Sequence, residues 1–216
     1  MSPQSSVSGA LPSTSSEENL DVLKKLGIPS LKEDPDYLLQ YDEIIRLEKK
    51  GKYRSLEPCQ ASKEDIRDLA ERLRSRLRLN PTTDFYALIK ANRGRISYVQ
   101  CDQLKAEDGS IFIHADRTFD VILPAYTSPS HDRFTLAHEL GHYILHSPRT
   151  NSFAFRRDRD LASLVEWEAN WFAACLLMPE QAFLDAMKET KKDIDLLAIQ
   201  FGVSRQAAEV RLQSLM

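Results

Sequence analysis

The sequence predicts an α+β fold, with helices packed on a small, largely antiparallel sheet. Two observations carry this. Three short runs rich in Ile, Val, Tyr and Phe, at 95–101, 111–114 and 119–123, lie mid-chain and are parted by turn chemistry, Asp108-Gly109 being the clearest. On both sides of them, apolar residues recur at helical spacing. Residues 1–18 hold much Ser and Pro and few large apolar side chains, too few to offset the entropy of ordering them, so a disordered tail is expected. A helical arm over 19–61 follows: Leu20, Leu23 and Leu26 have helical spacing, and so do Tyr37, Leu38, Tyr41, Ile44, Ile45 and Leu47, with Gly27-Ile28-Pro29 between them. The main domain, 62–190, begins at Ser62, where Asp65 three residues on suggests a capping box. That helix runs through Ile66, Leu69, Leu73 and Leu77 and stops before Pro81, and a shorter one spans Phe85 to Ala91. After Pro129, helices are expected near 132–146, 161–177, 180–189, 192–201 and 204–214. Gly202 and Ser204 part the last two, which form a helix-turn-helix-like C-terminal segment, 191–216, packed on the domain.

A net charge of −3 excludes a surface built as a whole to attract nucleic acid. Three cysteines (Cys59, Cys101, Cys175), far apart and without a C-x-x-C pair, argue against a disulfide framework and a thiolate zinc site. Buried free thiols in a reducing compartment are expected instead. The N-terminus MSPQSSVSGALPSTSSEE has neither a basic start nor an apolar core, so no signal peptide is expected. No window approaches 18 consecutive apolar residues. Together these predict a cytoplasmic protein with no membrane partner.

The segment Arg133-Phe134-Thr135-Leu136-Ala137-His138-Glu139-Leu140-Gly141-His142 contains H-E-x-x-H. Four residues along a helix turn through about 400°, so His138 and His142 stand one above the other and can point at one ion. Zinc takes such nitrogen ligands in a tetrahedral site. Glu139 is offset from the pair and reaches a water on the metal, whose proton it would take as general base while the water attacks a carbonyl. Apolar neighbours (Phe134, Leu136, Ala137, Leu140, Tyr143, Ile144) make this a buried helix, where two histidines and a glutamate would be costly without a metal.

A catalytic zinc needs a third protein ligand and one open position. A third histidine six residues after the second would serve, but Pro148 stands there. His146, four after His142, points too far along the helix to close a tetrahedron and is expected beside the site or at the helix end. The candidate ligand is Glu166, in the helix Glu166-Trp167-Glu168-Ala169-Asn170-Trp171-Phe172-Ala173-Ala174. Glu166, Ala169, Asn170 and Ala173 share a face, and the two alanines allow close approach to the motif helix. Asn170 would support a ligating histidine through its other ring nitrogen. Glu168 is turned about 160° away from Glu166, toward the face of Phe172 and Cys175, and is expected to leave the metal unaffected.

RFTLAHELGHYILH (133–146), EWEANWFAACLLMP (166–179) and LAIQFGVSRQAAEVRL (197–212) together resemble the ImmA/IrrE family of metallo-endopeptidases over residues 62–214. HELGH alone is common to many zinc proteases, but HELGH followed by E-x-x-A-N-x-F-A-A-x-L-L-M-P is far more specific. The resemblance implies a zincin-like domain with a gluzincin-like site: one zinc per chain on His138, His142 and Glu166, with Glu139 as base. It also implies a substrate class, helix-turn-helix repressors whose cleavage switches on stress-response or mobile-element genes. The additional C-terminal sensor domain of the family's radiation-response branch is not expected here, and the N-terminal arm is outside the family pattern.

Two other readings compete. The C-terminal helices could bind DNA, although the second offers only Arg205 and Arg211 as basic residues. The chain could also be a non-catalytic zinc-binding, antitoxin-like partner protein, against which Glu139 argues. For a protease, the substrate is expected to bind extended against a sheet edge supplied by Ile111 to His114 or Phe119 to Leu123.

Overall fold

A computed structural model describes residues 56–99, 110–114, 117–125, 127–147, 154–155 and 162–216. The expected tail and both helices of the arm lie outside the described residues, as do Cys101 and the Asp108-Gly109 turn. The described end of the arm, 56–61, has no regular structure, yet Leu56 and Cys59 are buried in the core.

Helix α1 (Lys63–Leu77) opens on the expected capping box, with Asp65 N donating to Ser62 Oγ at 3.1 Å and Ser62 N donating to Asp65 Oδ2 at 3.2 Å. It buries Ile66, Ala70, Leu73 and Leu77, then ends at Arg78 in the left-handed region (φ 51°), where Leu79 N caps Arg74 O. Helix α2 (Phe85–Ala91) is capped by Asp84.

Four strands follow: β1 (Gly94–Val99), β2 (Ser110–Ile113), β3 (Phe119–Pro124) and the two-residue β4 (Ala154–Phe155), in the order β1-β3-β2-β4. β2 pairs antiparallel with both β3 and β4, but β1 runs parallel to β3. The sheet is therefore mixed, and β4 was not foreseen, because a two-residue strand leaves no period to read. All six residues of β3 are buried, which suits a central strand covered on both faces. Phe119, Val121 and Leu123 enter the main core, and the Phe119 ring stacks on Tyr143 with centroids 4.4 Å apart. This removes Phe119 to Leu123 as the expected substrate edge and covers Phe112 and Ile113 within Ile111 to His114. β3 is paired on both sides, and Phe112 and Ile113 of β2 are paired with β4, so among the described strands the outer ones are β1 and β4.

The second half is helical as expected: α3 (Pro129–His146), α4 (Ala162–Leu177), α5 (Glu180–Glu189), α6 (Ile194–Phe201) and α7 (Arg205–Ser214). α3 starts three residues earlier than its apolar pattern suggests. Ser128 is its N-cap and Pro129 occupies the first turn, where proline's fixed φ and missing N–H suit the helix. Gly202 ends α6 in the left-handed region (φ 63°), and Ser204 caps α7. Leu197, Phe201, Val203 and Ala208 belong to the same core cluster as Leu56, Ile66 and Leu136, and Phe183 meets Phe201 with ring centroids 5.2 Å apart. Among the described residues, no helix is long and apolar enough to cross a membrane.

The centre of the fold is the crossing of α3 and α4, where Gly141 lies against Ala169. A Cβ at Gly141 would stand 3.1 Å from Phe172 Cδ1 and 3.3 Å from the Ala169 main chain. Replacing Gly141 with Val therefore must spread two packed helices, and is expected to cost about 1–3 kcal/mol of stability. A chemical unfolding midpoint equal to that of the parent would show that the crossing has slack.

Candidate metal centre

α3 is buried along nearly its whole length, and carries polar groups into the interior: His138 is 6% exposed, and Glu139 and His142 are 0%. The two imidazoles converge as the i, i+4 spacing requires, with Nε2 to Nε2 2.9 Å. Across the crossing, α4 brings Glu166, whose Oε2 lies 3.2 Å from His138 Nε2 and whose Oε1 lies 3.4 Å from His142 Nε2. Zinc with tetrahedral bonds of about 2.0–2.1 Å sets its ligand atoms roughly 3.3 Å apart, so these three groups fit around one ion. One ligand atom from each of His138, Glu139 and His142 lies within 4.8 Å of the others, which puts the Glu139 carboxylate beside the same point. Burial, with His138 next, drives the His142 pKa well below its ordinary value. The ring is neutral at pH 7 and has a lone pair to offer a cation.

The nitrogens facing away from this point also have partners. His138 Nδ1 lies 2.9 Å from Asn170 Oδ1, one turn along α4 from Glu166. An amide oxygen only accepts, so His138 carries its proton on Nδ1 and leaves Nε2 free for a metal. His142 Nδ1 lies 3.1 Å from His146 Nδ1, and His146 Nε2 lies 3.0 Å from Glu168 Oε2. The residues expected at the site from the sequence lie together here: His138, Glu139, His142 and Glu166 at the centre, Asn170 and His146 behind it.

Glu168 differs from expectation. It does turn away from Glu166, but not out of the site's reach. It is 1% exposed and accepts from the main-chain N–H groups of Cys59 at 2.8 Å and Gln60 at 2.9 Å, as well as meeting His146. Burial alone would raise its carboxyl pKa, but the Cys59 N–H, the Cys59 side chain and His146 outweigh that and hold it below the usual value. The signal was present in its neighbours. A carboxylate on the face of Phe172 and Cys175 is buried and needs partners, and His146 was already expected beside the site. Cys59 and Cys175 are buried thiols outside any disulfide.

The sequence pattern of a peptidase family described as the IrrE N-terminal-like domain matches residues 97–213. The chain belongs to that family. Among curated proteins it is 33% identical over 93 residues to "Uncharacterized immunity region protein 2" of Bacillus phage phi105, a match covering 42% of this chain and 57% of the phage protein. Among solved structures it is similar to a Mycobacterium tuberculosis transcriptional regulator, at 23% identity and a TM-score of 0.45, over 69% of this chain and 46% of that one. The matches therefore span about half the length of each relative.

Proposed function

We propose that this chain is a zinc-dependent endopeptidase that cleaves a helix-turn-helix transcriptional repressor and so derepresses stress-response or mobile-element genes. The observation that supports it most is the convergence of His138, His142 and Glu166 with the buried Glu139 carboxylate beside them. His138, His142 and Glu166 would hold one zinc, which supplies a Lewis acid and an acidified water in its open position. Glu139 accepts the proton from the attacking water and can return it to the leaving amine. Asn170 keeps His138 in the tautomer that presents Nε2. The name of the phage relative, an immunity region protein, is in keeping with a setting in gene control.

The C-terminal helices speak against direct DNA binding as the main activity. Arg211 is 1% exposed, donates from Nε to Met178 O and lies over the Trp171 ring. Arg205 is held by Asp195 at 2.6 Å and Glu209 at 2.9 Å. Arg211 is thus unavailable to a phosphate backbone, and Arg205 would have to leave two carboxylates to meet one. The buried Glu139 carboxylate grouped with His138 and His142 supports this reading over a non-catalytic, antitoxin-like one.

A folded repressor offers an extended segment only where a connection opens locally. Incubation of the chain and zinc with the helix-turn-helix repressor encoded nearest to it is expected to yield one slow cut at such a connection, mapped by mass spectrometry, with casein left intact. An intact repressor beside rapidly degraded casein would instead identify a general protease.

A further inference from the structure

We propose that Glu168 and His146 are positioning residues: through an ordered chain of hydrogen bonds they set the tautomer and orientation of His142, and the chain at Cys59–Gln60 anchors that relay. The inference rests on the reading of His138, His142 and Glu166 as metal ligands. It begins at the far end. The main-chain N–H groups of Cys59 and Gln60 donate to Glu168 Oε2 and Oε1 respectively. Both oxygens are thereby fixed as acceptors, and the carboxylate is held ionised. A carboxylate can only accept, so the 3.0 Å contact from His146 Nε2 to Glu168 Oε2 requires the His146 proton on Nε2.

A neutral imidazole has one proton, so His146 Nδ1 is an acceptor. It faces His142 Nδ1 at 3.1 Å, and two acceptors cannot share such a contact, so His142 carries its proton on Nδ1. His142 Nε2 then has its lone pair aimed at the point shared by His138 and Glu166. Each assignment follows from the previous one, and the whole set is fixed by two backbone amides from a segment 80 or more residues away in sequence. Glu168, His142 and His146 are all at most 1% exposed, so water is not at hand to substitute for a missing partner. Cys59, His146 and Glu168 also lie close enough to hold a cation among themselves. Their hydrogen bonds to one another and to the main chain account for that cluster without one.

Glu168→Gln tests the relay, because an amide has one acceptor oxygen and two donors. With its oxygen at the Oε1 position it keeps the Gln60 N–H, and its NH2 then faces the Cys59 N–H and His146 Nε2. His146 must then move its proton to Nδ1 and His142 must move its own to Nε2, where it blocks the metal. With its oxygen at the Oε2 position it keeps Cys59 and His146 but sets NH2 against the Gln60 N–H. His146→Phe removes the acceptor for His142 without opening a cavity. Both full-length variants are expected to bind zinc about 10- to 100-fold more weakly than the parent, by competition with a chromogenic chelator. In the parent, long-range proton–nitrogen NMR should show His142 protonated on Nδ1, and in Glu168→Gln on Nε2 or on both in exchange. A residue that only stabilised the fold would weaken unfolding resistance without moving that signal. Parental zinc affinity in both variants, or a parental His142 without a proton on Nδ1, would overturn the relay. A parent that binds no zinc would sink the metal-centre reading instead, while the His142 tautomer of the zinc-free chain still decides the relay. That spectrum also decides it should either variant fail to fold.

Discussion

Glu139→Gln is expected to keep zinc at one ion per chain and to lose peptide-bond cleavage by roughly 10²–10⁴-fold, the range that a positioned general base contributes. The amide is nearly the same size as the carboxylate, so the fully buried side chain should pack as before. What it lacks is an atom that can take the water's proton. One Glu139 carboxylate oxygen lies within 4.8 Å of a ring nitrogen of each histidine, while Glu166 reaches the converging Nε2 atoms at 3.2 and 3.4 Å. On the proposed function, Glu139 would serve the water and Glu166 the metal. Elemental analysis together with repressor cleavage separates the roles. A variant that still cuts at the parental rate would remove Glu139 from the chemistry, and one that has lost zinc would make it a ligand.

His142→Ala, His138→Ala and Glu166→Ala are each expected to abolish stoichiometric zinc. The loss should exceed the about 10- to 100-fold that supporting residues command, since two remaining ligands leave half the tetrahedron to water. His142 should be the most sensitive. It is completely buried, and its ring links the metal point to His146 and Glu168. Glu166, whose side chain is 22% exposed, is the ligand most open to replacement by water. Zinc content after gel filtration measures all three. Full occupancy in Glu166→Ala would mean that another carboxylate completes the site.

Most of this arrangement was legible because it is local. H-E-x-x-H places two imidazoles on one helical face whatever surrounds the helix. The face shared by Glu166, Ala169, Asn170 and Ala173 follows from the same period, and so does the close approach its alanines permit at Gly141. Ser62 with Asp65, and Gly202 with Ser204, punctuate the helices through caps contained within a few residues. The sheet was less legible. Its strands announce themselves by composition, but the parallel pairing of β1 with β3, and the placing of β3 at the centre, depend on partners far along the chain.

The sequence by itself determined which side chains could hold a metal, which carboxylate could act as base, and which helix could bring the third ligand. Each of these needs only the helical period and the chemistry of the residue. Only the tertiary structure decided what Glu168 does. Helical arithmetic correctly turned it away from Glu166, but could not show that His146 of one helix and the Cys59–Gln60 backbone would meet it on the other side. A hydrogen-bond chain that joins three separate segments has no signature in any one of them.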